Sequence, residues 1–420
     1  MFIKILINYE VIIKLGDNME LTLKKIKKFI MVNNREKLSY LKRLSRKIIV
    51  SIMKNEVVVK EIEKALKSYK HKEVVIFPAT VDYSFMFQRP QQLANAFAKK
   101  GYLVLYGTLN GQTDSVTTIQ KISENLFLIH EAHFPYLETL LDKNKTIYYC
   151  MWPNNIKHLS YLPYKKIIYD YMDELSLLGL PYDELYKSHM EMLGRADVIT
   201  VSAIKLYEQI PVSYREKTLV INNAVSEEFI KNLNDCNVEK SLFKIKNTYK
   251  KVIGYYGAIA KWMDFELVEY LALKLNEYAF VYIGPIFEVQ ENVNYIKAKY
   301  KNVFFISQKD YKDLPGFLKG FDVCTIPFVK NEITEAVSPV KLFEYMASKH
   351  PIVTIDLTEC QKYKSVITAT NKEDFLQQIE KALKLQNNIN YLNLLQKEML
   401  ENTWEHRVEQ IMKYLNEVNL

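Results

Sequence analysis

The sequence predicts an α/β protein built from two doubly wound parallel sheets that face each other across a cleft, preceded by a basic helical extension. Three observations lead there. From residue 73 onward, short β-rich runs alternate with helical stretches, the arrangement of parallel sheets covered by helices on both faces. At 420 residues with 49% hydrophobic and 25% charged content, the chain can fill two cores. A polar stretch over 226–250, rich in Asn, Asp and Lys and without a long apolar run, separates two such series and reads as the linker.

The organisation that follows is an extension over 1–72, a first domain over 73–235, a second over 236–400, and a C-terminal helix over 401–420 that packs back toward the first domain. Strands are expected at 73–77, 102–106, 126–130, 146–150, 166–169, 198–201 and 219–221, with helices at 90–100, 184–194 and 203–209. The second series restarts with strands at 251–256, 279–283, 302–306, 322–326 and 351–355, and helices at 264–275, 311–319 and 339–348. Open sheets of this kind bind ligands at the carboxyl ends of their strands, so two facing sheets suit two substrates.

Charge is concentrated at one end. Of the net +8, residues 20–72 carry +11, from 16 Lys/Arg against 5 Glu. Within them Leu38, Leu41, Leu44, Ile48 and Ile52 recur near helical period among Lys42, Arg43, Arg46 and Lys47, which describes a basic amphipathic helix. Such a helix either lies on an anionic membrane surface or packs on the protein with its charges in water. No aromatic platform accompanies the charge, which argues against nucleic acid. No apolar stretch approaches the roughly 20 residues that cross a bilayer, and the beginning lacks a small-residue cleavage site. Cys150, Cys236, Cys324 and Cys360 show no paired or zinc-like spacing, so a cytoplasmic location is expected, peripheral on the inner face of the membrane if the basic segment binds it, and no metal.

The most informative run is 332–356. Ser338 suits an N-cap and Pro339 the first helical position, which leaves the N–H groups of Val340 and Lys341 unpaired at the positive end of a helix dipole, a natural phosphate site. Lys341 adds a cation, and Glu344, on the same face, can accept hydrogen bonds from ribose hydroxyls; an ordinary Lys341–Glu344 ion pair explains the same spacing. In the first half, Arg89 precedes Pro90 at a helix start and can reach a phosphate oxygen, or is a surface arginine. Asp173, with Asp170 and Glu174 close by, follows a strand and can orient or deprotonate an acceptor hydroxyl, or cap a short helix. Tyr83, Tyr255 and Trp262 are candidates for stacking on sugar or base, though such aromatics more often belong to cores, and His189 reads as a helix-surface residue.

The run SPVKLFEYMA followed by PIVT resembles the donor-site helix of the group-1, family 4-like glycosyltransferases. The similarity extends over 73–418: VIFPATVDYSFMFQRPQQLANAFAKKGYLVLY resembles the opening of a bacterial cell-surface polysaccharide subgroup of the teichuronic-acid type. IIYDYMDELS, ADVITVSA, VINNAV, IGYYGAIAKWMDFELV and ENTWEHRVEQI follow in that subgroup's order. The resemblance implies a GT-B architecture of two Rossmann-like domains and a nucleotide-sugar donor held mainly by the second. It also implies a glycan or lipid-linked acceptor, no catalytic metal, no resident cofactor, and retention of anomeric configuration. Its rivals are a nucleotide-sugar epimerase of the same architecture and a catalytically degenerate binding subunit. Departures from the pattern accompany it. Eight positions before Glu344 the family's first glutamate is replaced by Ala336, with Glu335 one residue off. After the first strand of the second domain Gly257 is followed by Ala258, and the nearest cation is Lys261, a displaced candidate for the diphosphate. Lys349 stands where a glycine would supply the left-handed helix cap, so strain or an altered turn is expected there. Retention would need a carboxylate nucleophile or a front-face route; no convincing nucleophile is apparent, which favours the latter.

Overall fold

A computed structural model describes residues 55–178 and 181–417. The chain forms two units, residues 1–60 and 61–420. Of the first, only the opening of helix α1 (Asn55–Leu66) is described, and the amphipathic pattern at 38–52 lies outside the described residues. All that follows belongs to the second unit.

Its first sheet holds β1 (Val74–Phe77), β2 (Leu103–Thr108), β3 (Ile119–Lys121), β4 (Leu126–His130), β5 (Thr146–Cys150), β6 (Lys166–Tyr171), β7 (Val198–Val201) and β8 (Thr218–Val220). Their order is β3-β4-β2-β1-β5-β6-β7-β8, parallel except where β3 runs antiparallel to β4. The second holds β9 (Lys251–Tyr256), β10 (Tyr278–Ile283), β11 (Val303–Ile306), β12 (Val323–Ile326), β13 (Ile352–Ile355) and β14 (Val366–Ala369), all parallel in the order β11-β10-β9-β12-β13-β14. Runs such as VVIF in β1 are buried at every position because helices cover both faces, which is why they read as continuously apolar. The α-helices of six or more residues after α1 are α2 (Arg89–Lys99), α3 (Tyr182–Arg195), α4 (Ile204–Gln209), α5 (Glu227–Asp235), α6 (Phe243–Thr248), α7 (Phe265–Lys274), α8 (Gln290–Lys299), α9 (Val340–Ser348), α10 (Lys372–Leu385), α11 (Ile389–Leu400) and α12 (Trp404–Glu417).

Strand order reverses beside β1 in the first sheet, which has β2 on one side and β5 on the other, and beside β9 in the second, between β10 and β12. Loops leaving a sheet at such a point diverge and leave a crevice at the strands' carboxyl ends. The loops after β1, β9 and β12 therefore frame the site described below.

Three expectations need correction. β3 and β14 are absent from the strands read in the sequence; β3 is a half-exposed three-residue edge with no alternating pattern to read. The 226–250 stretch is not an open linker, since it contains α5 and α6. Phe229 and Leu233, one turn apart, bury α5, and the Ser226 hydroxyl accepts the Phe229 N–H at 3.0 Å as its cap. His189 is buried rather than on a helix surface: Tyr169 OH and its Nδ1 lie 2.8 Å apart, and burial pushes its pKa down to about 4.

The chain crosses between the sheets twice, and the crossings pair. Val225 N–H donates to Asn402 O at 3.1 Å and Trp404 N–H to Val225 O at 3.1 Å. α12 then packs Trp404, Val408, Ile411 and Leu415 into the core that contains Leu93 and Phe97 of α2.

Lys349 ends α9 in the left-handed region, at φ 59°. A side chain there costs about 1 kcal/mol relative to glycine. Lys349→Gly should therefore raise the chemical denaturation midpoint, by about 0.5–1 kcal/mol of stability less the entropy that glycine restores to the unfolded chain.

Candidate active site

A cavity of about 1090 Å³ lies between the sheets, framed by the loops after β1 and β6 on one side and those after β9, β10 and β12 on the other. Its floor is the start of α9. The structure moves that start by one residue: Pro339, at φ −69° and ψ 116°, is the N-cap, Val340 the first helical residue, and no side chain caps the helix. Ser338 is unavailable for capping because its hydroxyl accepts the Asn223 N–H at 3.2 Å, while its carbonyl accepts from Asn223 Nδ2 at 2.6 Å. The N–H groups of Val340 and Lys341 have no preceding helical carbonyl to bond, and both residues line the cavity. The helix start keeps the unpaired donors that an anion site needs, with its cap replaced by a tie to the first domain.

Opposite the helix start, two glycines let backbone approach closely. Gly257 sits at φ 133°, and a Cβ there would meet the Lys341 Cε at 2.8 Å. Gly284 sits at φ 156°, and a Cβ there would lie 2.0 Å from Gly257 O. Any larger residue would displace the loop or the lysine.

Lys341 runs beneath Gly257, its ammonium 5.3 Å from the Tyr255 ring centre and 5.2 Å from that of Phe328. Burial lowers its pKa to about 8, against the opposing pull of the Glu344 carboxylate. Tyr255 itself is fully buried, with its hydroxyl on Ala258 O at 2.9 Å, so it packs against the lysine instead of presenting a stacking face.

Glu344 lines the cavity but is only 2% exposed. Its Oε2 accepts from Tyr256 OH at 2.6 Å and its Oε1 from Tyr311 OH at 2.7 Å. Burial raises its pKa, and the two hydroxyls and Lys341 pull the other way. Tyr311 also accepts from Gln92 Nε2 of the first domain at 2.9 Å and stacks on Phe87. Each carboxylate oxygen keeps a second lone pair for a further donor. Sequence reading missed Tyr256, Tyr311, Gln92, Asn223 and Gly284. A residue such as Tyr311, 33 positions from its carboxylate partner, leaves no local signal.

Arg89 does not reach the cleft. It is buried at 3% exposure, with Nε and Nη2 each 2.9 Å from the two Asp170 oxygens, and Nη1 on Ile221 O at 2.9 Å and Asn223 Oδ1 at 3.1 Å. As the first residue of α2 it lies against β6, where Asp170 is fully buried and also accepts from Tyr149 and Thr200. A bidentate partner at that depth outcompetes a distant phosphate. Asn223, which holds Ser338, links Arg89 by hydrogen bonds to the start of α9.

Lys261 is likewise displaced. Ile259 and Met263 pin its loop by bridges to Ile286 and Phe328, leaving Lys261 on the outer turn, 76% exposed and 2.8 Å from Glu288. Glu335 faces away from the cleft as well, accepting from the Thr358 N–H at 3.0 Å and hydroxyl at 2.5 Å. Asp173 does line the cavity, exposed within the cleft; the enclosing cleft walls raise its pKa by desolvation, Arg89 lowers it and Asp170 raises it further. Tyr83 and Trp262 also line it, with the Tyr83 hydroxyl bonded to Asn95 and the Trp262 Nε1 to Ala258 O at 3.2 Å. Among the described residues no group of three or more His, Cys, Asp or Glu is placed to hold a metal, and no helix is long and apolar enough to cross a membrane.

With this geometry in view, residues 250–385 match the family described as "Glycosyl transferases group 1". Those residues are a group 1 glycosyltransferase domain. The glycosyltransferase is 25% identical over 293 residues to TuaH of Bacillus subtilis (strain 168), named as a teichuronic acid biosynthesis glycosyltransferase, with 67% of this chain and 69% of that one covered. Among solved structures it resembles sucrose-phosphate synthase of Thermosynechococcus elongatus, at TM-score 0.60 and 12% identity over 83% of this chain and 99% of the other. It also resembles HepE of Anabaena, solved with UDP and glucose, at TM-score 0.57 and 13% identity over 82% and 100%. The fold of the glycosyltransferase is GT-B.

Proposed function

We propose that the enzyme transfers a sugar from a nucleotide-sugar donor to a glycan or lipid-linked acceptor in cell-surface polysaccharide synthesis, with retention of configuration and without a metal. The observation that carries this reading is the convergence at one helix start. The free N–H groups of Val340 and Lys341, the Lys341 ammonium and the Gly257–Gly284 backbone meet about one helical turn from Glu344 in the same cavity. That is an anion site beside a hydroxyl-binding site, the chemistry of a nucleoside diphosphate. TuaH supports the polysaccharide assignment by its name, and HepE supports the donor by its bound UDP and glucose.

On this reading Glu344 takes a ribose hydroxyl on its free lone pairs or in exchange for Tyr311, and the diphosphate spans from Gly257 to the α9 start. As the bond from the anomeric carbon to the phosphate oxygen breaks, negative charge grows on the leaving diphosphate, where the N–H groups and Lys341 stabilise it. The acceptor hydroxyl attacks from the same face and yields its proton to a donor phosphate oxygen, with Asp173 orienting it from the first domain. The basic segment 20–72 supports an anionic membrane surface as the place where a lipid-linked acceptor is met.

UDP, GDP, ADP and dTDP should be screened for thermal stabilisation, since a ligand that binds only the folded state raises its stability. One of them is expected to stabilise the protein, and Glu344→Ala to weaken that nucleotide by about tenfold or more through loss of a charge-assisted hydrogen bond. No stabilisation by any of the four would sink the donor assignment.

A further inference from the structure

The α9 helix orders the cleft. Glu344 lies four residues past its first residue, roughly 6 Å along the axis. With ribose at Glu344 and diphosphate at Val340 and Lys341, as proposed above, the sugar must lie beyond the helix start. The cavity there is lined by Ile333, Val337, Phe328 and Trp262. Ile333 is 39% exposed and Trp262 36%, and both present apolar surface to the cavity they line.

Polar side chains at this end are committed elsewhere. The Thr334 hydroxyl donates to Val329 O at 2.7 Å and accepts the Asn331 N–H at 3.0 Å, while Asn331 Oδ1 accepts the Thr334 N–H at 3.0 Å. Glu335 is held by Thr358, and Lys330 by Asp356 at 2.8 Å. Lys261 is paired with Glu288 on the outer surface, and Ala336 offers only a methyl group. The Trp262 N–H is bonded to Ala258 O, which fixes the indole with its ring carbons free. Across the cleft stands the Asp173 carboxyl.

We propose that the donor carries a hexose whose substituent ends in a methyl group, N-acetyl or deoxy, and that Trp262 and Ile333 select that methyl. A hydroxyl placed against these side chains would lose water without gaining a side-chain partner. A uronate carboxylate would be buried against apolar side chains and the Asp173 carboxyl, while Lys341, the cation beside Phe328, is taken up by the diphosphate. An apolar pocket discriminates modestly, by roughly 10- to 200-fold per methyl-sized group.

This inference rests on the donor reading, and one experiment separates the two. Once the bare nucleotide that binds is known, kcat/KM for donor hydrolysis or transfer is measured for fully hydroxylated, N-acetylated or deoxy, and uronate hexoses on that base. The expected order is N-acetylated or deoxy first by about tenfold or more, the hydroxylated hexose next and the uronate last. Ile333→Ser and Trp262→Ala should each shrink the preference to a few-fold while leaving bare-nucleotide affinity unchanged. If no bare nucleotide binds, the donor reading itself falls. If a nucleotide binds but the hydroxylated hexose or uronate is used as well or better, the apolar subsite is wrong and the donor reading stands. A preference that survives both substitutions would remove Trp262 and Ile333 from the role.

Discussion

Lys341→Met should lower kcat by roughly 10²-fold or more, the usual cost of removing one preorganised group from a developing anion, with a smaller effect on donor KM. The structure allows this loss to be separated from misfolding. The folded-state pKa of about 8 lies below the ordinary lysine value of 10.5, so the folded protein holds fewer protons than the unfolded chain between those values. A depressed lysine therefore disfavours folding below about pH 8, and stability recovers as pH rises from there toward 10.5. The methionine variant, which keeps the stem between Tyr255 and Phe328 but carries no charge, should be at least as stable as the parent at pH 7 while nearly inactive. Diphosphate affinity in the parent should fall as pH rises through about 8, because the free enzyme then loses the cation, and the variant should lack that dependence. Binding measured above pH 8 in buffers of different ionisation enthalpy should also reveal proton uptake. A variant with wild-type turnover would remove Lys341 from the reaction.

The second large effect is on stability. Arg89→Met leaves Asp170 fully buried without its counter-ion, and breaking such a pair from one side costs about 3–5 kcal/mol. Pairing it with Asp170→Asn, which removes the stranded charge and keeps an acceptor for Tyr149 and Thr200, should recover part of that loss. The double variant keeps the core but loses the hydrogen bond that holds Asn223, and with it some of the hold on Ser338. It should fold yet bind nucleotide more weakly, a result that a purely structural ion pair would not produce. Denaturation midpoints and nucleotide affinity, read for the single and double variants together, decide between the two roles.

Much of the framework was legible because its signals are local. Buried parallel strands announce themselves as apolar runs, and the α9 start follows from Pro339 with the apolar stripe after it. The side chains of the site were less legible in proportion to how far away their partners are. Glu344 and Lys341 were readable, lying one turn apart on one helix. Arg89 was taken for a phosphate ligand because nothing near it in sequence reveals Asp170, 81 positions away, as a bidentate partner. Ser338 looked like a cap because Asn223, 115 positions earlier, is invisible from its neighbourhood. Lys261 is the nearest cation along the chain, whereas the bridges at Ile259 and Met263 turn it outward. Gly284 carried no motif at all; its necessity is a matter of 2.0 Å between two loops.

The return of α12 to the first domain bears on how the protein comes into being. Trp404, Val408, Ile411 and Leu415 complete a core whose other members begin at Val75. During synthesis at roughly 5–20 residues per second, domains usually fold in the order in which they leave the ribosome. Here the first domain must wait with an open apolar seam along α2 until residues 404–415 have been made, by which time the 251–369 sheet has all its strands. The domain made first is the one finished last, and the seam along α2 is the apolar surface that stays open longest.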